Sequence, residues 1–146
     1  MDPKVLSARR QARRLGMQAV YQWLVADTEL NDLEAQFSEQ DEIKKADPEY
    51  FHELLRKIPE YQKQLDGILT AHTPRPVNEI DPVELSVLYI GLYELKYRLD
   101  IPFKVVINEA ISLAKKFGAS DGHKYVNGIL DKAAHELRVV ELQAAK

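Results

Sequence analysis

Five residues near the start of the chain have types and spacing that could do chemistry together. Arg9, Arg10, Arg13 and Arg14 recur at the three- and four-residue intervals of a helix, and Tyr21 follows two turns later. On a wheel turning about 100° per residue with Arg9 at zero, Arg13 falls at about 40°, Arg10 at about 100° and Arg14 at about 140°. Tyr21 lies at about 120°, inside the arc, and Met17 at about 80°. The apolar positions of the same stretch, Ala12, Leu15, Gly16, Ala19, Val20, Trp23 and Leu24, centre on about 300°. The arginines are therefore expected to face away from the core and to take no part in packing. A guanidinium fork donates two parallel hydrogen bonds to a phosphate, and an aromatic ring on the same face can stack an unpaired base. That combination suits single-stranded RNA better than duplex DNA. It equally describes a solvated, arginine-rich helix face, and the arc alone does not separate the two readings.

A second candidate lies near the other end, in the run Phe117-Gly118-Ala119-Ser120-Asp121-Gly122-His123-Lys124-Tyr125-Val126-Asn127-Gly128. The start of a helix offers free backbone N–H groups to an anion. Lys115, Lys116 and Lys124 flank this one against Asp121 alone. The local sequence favours a capped helix–helix turn over a phosphate site. Gly128, inside the following helix, signals close packing or a nearby ligand.

Catalytic constellations are missing. None of His52, His72, His123 and His135 has a histidine or carboxylate at a spacing that resembles a known metal motif. His52-Glu53 lacks the second histidine of a zinc-protease helix. No phosphate-binding P-loop or dinucleotide fingerprint occurs. Carboxylate pairs such as Asp41-Glu42 fall in an acidic, solvated stretch. Nothing here supports a reaction, so the chain is expected to be neither an enzyme nor the holder of a cofactor or metal.

The elements that must position these residues are helical. A first helix is expected from about Ala8 to Asp27 and a weaker one over Asn31–Gln40, with Leu33 and Phe37 inward. Asp47-Pro48 is a start signal for a helix carrying Tyr50, Phe51, Leu54, Leu55 and Ile58. Pro59 ends it or opens the next, which carries Tyr61, Leu65, Ile68 and Leu69. Thr73-Pro74-Arg75-Pro76 breaks the chain between two halves of one domain. Asp81-Pro82 repeats the start signal, with Glu84 at the capping-box position. The helix from Val83 to about Leu99 is apolar nearly all round and is expected to be central. After Asp100-Ile101-Pro102, a helix through Val105, Val106, Ile107, Ala110, Ile111, Ala114 and Phe117 stops at Gly118. Ser120 is expected to cap the last helix, with core positions Val126, Ile129, Leu130, Ala133, Ala134 and Leu137, and residues 139–146 to fray. The expected fold is all-α: about seven helices in two small bundles, residues 8–72 and 81–138, forming one compact domain.

Composition agrees. A chain of 146 residues, 45% hydrophobic, is the size of one domain with a real core. The absence of cysteine removes disulfides and thiolate metal sites and fits a reducing compartment. No apolar run approaches the ~18–20 residues of a membrane span. Met1 to Leu6 is too short and polar for a signal peptide, so a cytoplasmic protein is expected. The net charge is −3, but it is unevenly spread. Residues 1–16 carry five bases against Asp2, a net of +4, whereas residues 27–66 carry twelve carboxylates against five bases, a net of −7. A partner meets the local field, not the average.

Several blocks, in order, carry a resemblance: Ala8-Arg9-Arg10-Gln11-Ala12-Arg13 and Ala19-Val20-Tyr21-Gln22-Trp23; Val87-Leu88-Tyr89-Ile90-Gly91-Leu92-Tyr93-Glu94-Leu95; Ile101-Pro102-Phe103-Lys104-Val105-Val106-Ile107-Asn108-Glu109-Ala110; Ala114-Lys115-Lys116-Phe117-Gly118; and Lys124-Tyr125-Val126-Asn127-Gly128-Ile129-Leu130-Asp131-Lys132. From about Ser7 to Arg138 the chain resembles the NusB family of bacterial transcription antitermination factors. The resemblance implies two helical bundles packed at a steep angle and a role in processive transcription of ribosomal RNA operons. It implies binding of the boxA element of nascent RNA together with NusE, a small-subunit ribosomal protein, within an antitermination complex with RNA polymerase. It maps RNA contacts onto Arg9, Arg10, Arg13, Arg14 and Tyr21, and, as a second half of the surface, onto Phe117, Asp121, Lys124 and Tyr125. An acidic residue beside RNA could accept hydrogen bonds from base amino groups or lower the affinity. Arg75 and Glu84 match NusE-contacting positions, although the capping box already accounts for Glu84. Asn78 and Ile80-Asp81-Pro82 depart from the family pattern. Two other readings stand beside this one. One is a structural homodimer that masks the arginine face. The other is a module related to the helical domain of RNA cytosine methyltransferases, which the lack of room for a cofactor-binding domain disfavours.

Overall fold

A computed structural model of the chain describes residues 2–144, and every regular element among them is helical. Two compact units result, Met1–Tyr61 and Gln62–Lys146.

The first unit holds α1 (Pro3–Ala26), α2 (Leu30–Ser38), a 3-10 turn over Asp41–Lys45 and α3 (Pro48–Glu60). Helix α1 begins five residues before the expected Ala8. Asp2 caps it, accepting a hydrogen bond from Lys4 N at 2.8 Å, and Pro3 takes the first turn. This is the Asp-Pro signal seen again at residues 47–48 and 81–82. Asp27 closes the helix in the left-handed region, φ 52°, its N–H reaching Trp23 O at 3.0 Å. At the head of α3, Asp47 accepts from Tyr50 N at 3.1 Å. Asp47 N in turn donates to Ala8 O at 3.0 Å, tying the start of α3 to α1. The helices close over Leu15, Leu33, Leu54, Leu55 and Ile58, all fully buried. The rings of Phe37 and Phe51 lie 5.6 Å apart. Outside this core, Arg56 reaches Asn31 and Glu34, both at 2.7 Å, and His52 pairs with the same Glu34. The Arg56 hydrogen bond is the main reason the Glu34 carboxyl is held below its usual range, against an opposing effect of burial.

The second unit holds α4 (Gln62–His72), a 3-10 turn over Val77–Glu79, α5 (Pro82–Tyr97), α6 (Phe103–Phe117), α7 (Gly122–Leu137) and α8 (Val139–Ala144). Helix α4, placed by its sequence with the first bundle, packs instead with α5 and α7 through Leu65 and Leu69. Its Asp66 accepts the Tyr89 hydroxyl of α5 at 2.5 Å. Helix α5 is buried from Glu84 to Leu95, as its uniform apolarity predicts. Gly91 lets α7 approach: a Cβ there would lie 2.7 Å from Leu130 Cδ1.

The tail is ordered where fraying was expected. Arg138 is buried, and its guanidinium donates to the carbonyls of Glu94, Leu95, Arg98 and Ile101 at 2.8–3.0 Å. These acceptors lie at and beyond the end of α5, where a cation suits the helix dipole, and those of Glu94 and Arg98 also accept from Arg98 N and Ile101 N. Arg138 also binds Glu141 at 2.5 Å, and Glu141 accepts from Phe103 N at 2.9 Å, which fastens α8. That makes eight helices among the described residues rather than seven. Met1 and the last two residues of the expected frayed tail, 145 and 146, lie outside the described residues.

Candidate nucleic-acid interface

In the first unit the arginine arc divides. Arg10 is exposed and Arg14 half-exposed, and Tyr21, 38% exposed, stands between them on the wheel. Arg14 Nε donates to Gln11 Oε1 at 3.0 Å, so a neighbour one turn back fixes its guanidinium. Arg13, by contrast, is only 3% exposed, and Met17 is buried beside it. The expectation that the whole arginine face stands clear of packing is therefore corrected. Tyr50 of α3 stands against this part of the arc. Its ring lies under two guanidinium carbons, Arg9 at 5.4 Å and Arg13 at 5.8 Å from the ring centroid. Arg9 stays half-exposed, with its Nε buried. The buried arc of α1 thus reaches from Leu15 round to Met17. The open strip is narrower than four arginines: Arg10, Arg14 and Tyr21, with part of Arg9. This strip offers planar donors beside an aromatic face, which is what a phosphate backbone with an unstacked base requires.

In the second unit the sites separated in the sequence come together. Arg75, Glu84, Ala119, Ser120, Asp121, Gly122 and Tyr125 line one open pocket of about 350 Å³. Arg75 lies over the Tyr125 ring, its guanidinium carbon 4.5 Å from the centroid. The Tyr125 hydroxyl is 3.0 Å from Thr73 Oγ1, which also accepts from Arg75 N at 3.3 Å. Residues assigned to RNA and to a protein partner therefore share a wall. Asp81 caps α5, accepting from Val83 N and Glu84 N at 2.9 and 3.2 Å. Glu84 itself is 8% exposed, and its carboxyl lies against Gly122. A Cβ at position 122 would sit 3.1 Å from Glu84 Cδ, so glycine keeps the loop close. Burial chiefly, with Asp81 adding, raises the Glu84 carboxyl above its usual range, and Arg75 opposes the rise.

The expected Ser120 cap does not form. Helix α7 starts at Gly122 behind Asp121, with no side-chain cap bond, and the turn is held by Gly122 N donating to Ala119 O at 3.0 Å. Asp121 pairs with Lys124 at 3.3 Å, both side chains exposed. Phe117 is half-exposed at the end of α6, with Lys116 Nζ 5.6 Å from its ring centroid. Gly128 is exposed, with nothing within 4 Å of a Cβ built there, so close packing does not account for it. A larger apolar hollow of about 470 Å³ beside α8, lined by Leu99, Pro102, Leu137, Val139 and Val140 among others, contains none of the site residues.

Sequence reasoning missed three supports: Tyr50 under Arg9 and Arg13, Gln11 beside Arg14, and Thr73 on Tyr125. Only Gln11 carried a signal, its i,i+3 spacing from Arg14. Among the described residues no group of three or more histidine, aspartate and glutamate side chains could hold a metal, and no helix is long and apolar enough to cross a membrane.

Residues 10–135 match the profile of the NusB family. The transcription antitermination protein NusB of Alcanivorax borkumensis is 50% identical over 140 residues, covering 96% of this chain and 93% of that protein. The protein of the same name from Pseudomonas fluorescens is 46% identical over 99% of this chain and 87% of its own length. Among solved structures, T. maritima NusB superposes with a TM-score of 0.75 at 32% identity, covering 88% of this chain and 91% of that one. A chain from a complex of the antitermination factors NusB and NusE with double-stranded RNA shares the fold, with a TM-score of 0.74 at 20% identity over 87% of this chain and 96% of that one.

Proposed function

The chain belongs to the NusB family, and on that premise we propose that it is a transcription antitermination factor that binds boxA-bearing RNA together with NusE. It acts by binding, not by catalysis, and it works beside RNA polymerase in the cytoplasm, where nascent ribosomal RNA is made. Both units belong to one RNA-binding module, and each contributes a contact surface of its own.

The observation that carries the reading is the open strip of α1, where Arg10, Arg14 and, two turns further on, the exposed ring of Tyr21 share one face. Guanidinium groups engage phosphate and the ring engages a base. In the second unit, Phe117, Lys124 and Tyr125 offer two rings and a cation to RNA, with Asp121 restraining Lys124. Arg75 and Glu84, which line one pocket, are the residues assigned to NusE. RNA-binding titrations test this, using boxA and scrambled oligonucleotides, with the chain alone and with NusE added. The expected result is a preference for boxA that NusE strengthens and that Arg10→Ala/Arg14→Ala removes. Equal binding of both RNAs with and without NusE would overturn it.

A further inference from the structure

Tyr50 has no exposed surface to offer a ligand, being 3% exposed, yet it organises the cations that the RNA reading invokes. One face of α1 brings Arg9 and Arg13, one turn apart, over a single ring at 5.4 and 5.8 Å. Two like charges at that spacing repel, and the electron-rich face of an aromatic ring offsets the repulsion by attracting both. The ring's own place is fixed through the backbone. Asp47 N is bonded to Ala8 O, the residue before Arg9, and the Asp47 carboxylate caps Tyr50 N. The register between the second turn of α1 and the start of α3 thus sets where the ring meets the arginines.

We infer that Tyr50 is a positioning residue for RNA binding, holding Arg9 and Arg13 in the free protein as the cationic floor on which the phosphate backbone docks beside Arg10 and Arg14. A cation already held needs no further ordering when its ligand arrives, and affinity gains by that saving. Arg13 contributes charge from beneath and Arg9 contributes direct donors. The inference rests on the RNA-binding reading and assigns a role to a residue that touches no RNA.

The test is a double-mutant cycle on the full chain, read by titration with a boxA-containing single-stranded RNA. Tyr50→Leu should weaken binding about three- to tenfold, as expected for loss of cation–π attraction. Tyr50→Phe, which keeps the ring, should restore parental affinity. In an Arg9→Ala/Arg13→Ala background, Tyr50→Leu should change affinity no further. Unchanged or tighter binding by a folded Tyr50→Leu overturns the inference, as does an equal loss in both backgrounds, which marks a purely structural role. Should Tyr50→Leu not fold, NMR of the parent protein decides. The Arg9 and Arg13 side-chain N–H signals should show ring-current shifts and should move further when RNA is added. Their absence, or indifference to RNA that does bind, overturns the inference. No RNA binding by the parent overturns the RNA reading itself and the inference with it.

Discussion

The guanidinium of Arg75 lies over the ring of Tyr125, 4.5 Å from its centroid, and Thr73 anchors both residues. One residue had been matched to a protein partner and the other to RNA, so their stacking couples the two surfaces. Arg75→Ala should therefore weaken RNA binding by the chain alone, with no NusE present, by about two- to fivefold as the ring loses its cation. Unchanged affinity for RNA, with only NusE binding impaired, would show that the two residues act separately.

The divided arginine arc separates stability from binding. Arg10→Ala and Arg14→Ala should leave Tm within a degree or two, since surface substitutions cost about 0.5 kcal/mol or less. Each should lower the log–log salt dependence of RNA binding by up to ~0.7 for a lost phosphate contact. Tyr21→Ala should weaken binding without moving that slope, because stacking releases no counterions. Arg13→Ala should instead cost stability, about 1–3 kcal/mol, since its side chain is packed. Urea melts and salt titrations of the four variants check this, and a stability-neutral Arg13→Ala would contradict its burial.

Asp121 restrains Lys124 through an exposed ion pair at 3.3 Å. Such a pair adds little to stability, but its carboxylate repels phosphate. Asp121→Asn should bind RNA about two- to threefold more tightly at low salt, with the gain fading as salt screens the charge. Binding isotherms at two salt concentrations read this directly, and weaker binding by the variant would show that the carboxylate itself contacts a base.

Asp66 sets a pH dependence. Burial raises its carboxyl above the ordinary 3.8, outweighing the Tyr89 hydroxyl, which favours the charged form. The folded state then holds a proton that the unfolded state has released. Stability from this group is greatest at low pH and is lost as pH rises from about 3.8 through the folded value. Asp66→Asn keeps an acceptor for Tyr89 and should flatten that part of the curve, leaving the variant at least as stable as the parent at pH 7. Denaturant unfolding between pH 4 and 7 measures it. A variant less stable at pH 7, with the slope unchanged, would rule this account out.

Helical periodicity made most of the fold legible, because α5 is apolar all round and the stripes of α3, α6 and α7 keep strict spacing. What it could not supply was anything set by a neighbour. Arg13 reads as surface on a wheel of α1 alone, yet it is buried, with Tyr50 of α3 against its guanidinium. Arg75, Glu84, Asp121 and Tyr125 are scattered over fifty positions, and nothing local says they meet. Two misses were legible in principle. Asp2-Pro3 is the same start signal that was read at Asp47-Pro48, and Glu141 stands three residues after Arg138, close enough to order the tail.

Arg138 also bears on the order in which the protein can be completed. Its guanidinium closes carbonyls 37 to 44 residues earlier in the chain. During synthesis the end of α5 emerges first and lacks the guanidinium until α6 and α7 have been made. Contacts so distant in sequence form late, after the cost of closing the loop has been met. The central helix of the second unit is therefore finished by a residue made two helices later. A nascent chain halted before residue 138 should leave that end of α5 loose and open to proteolysis.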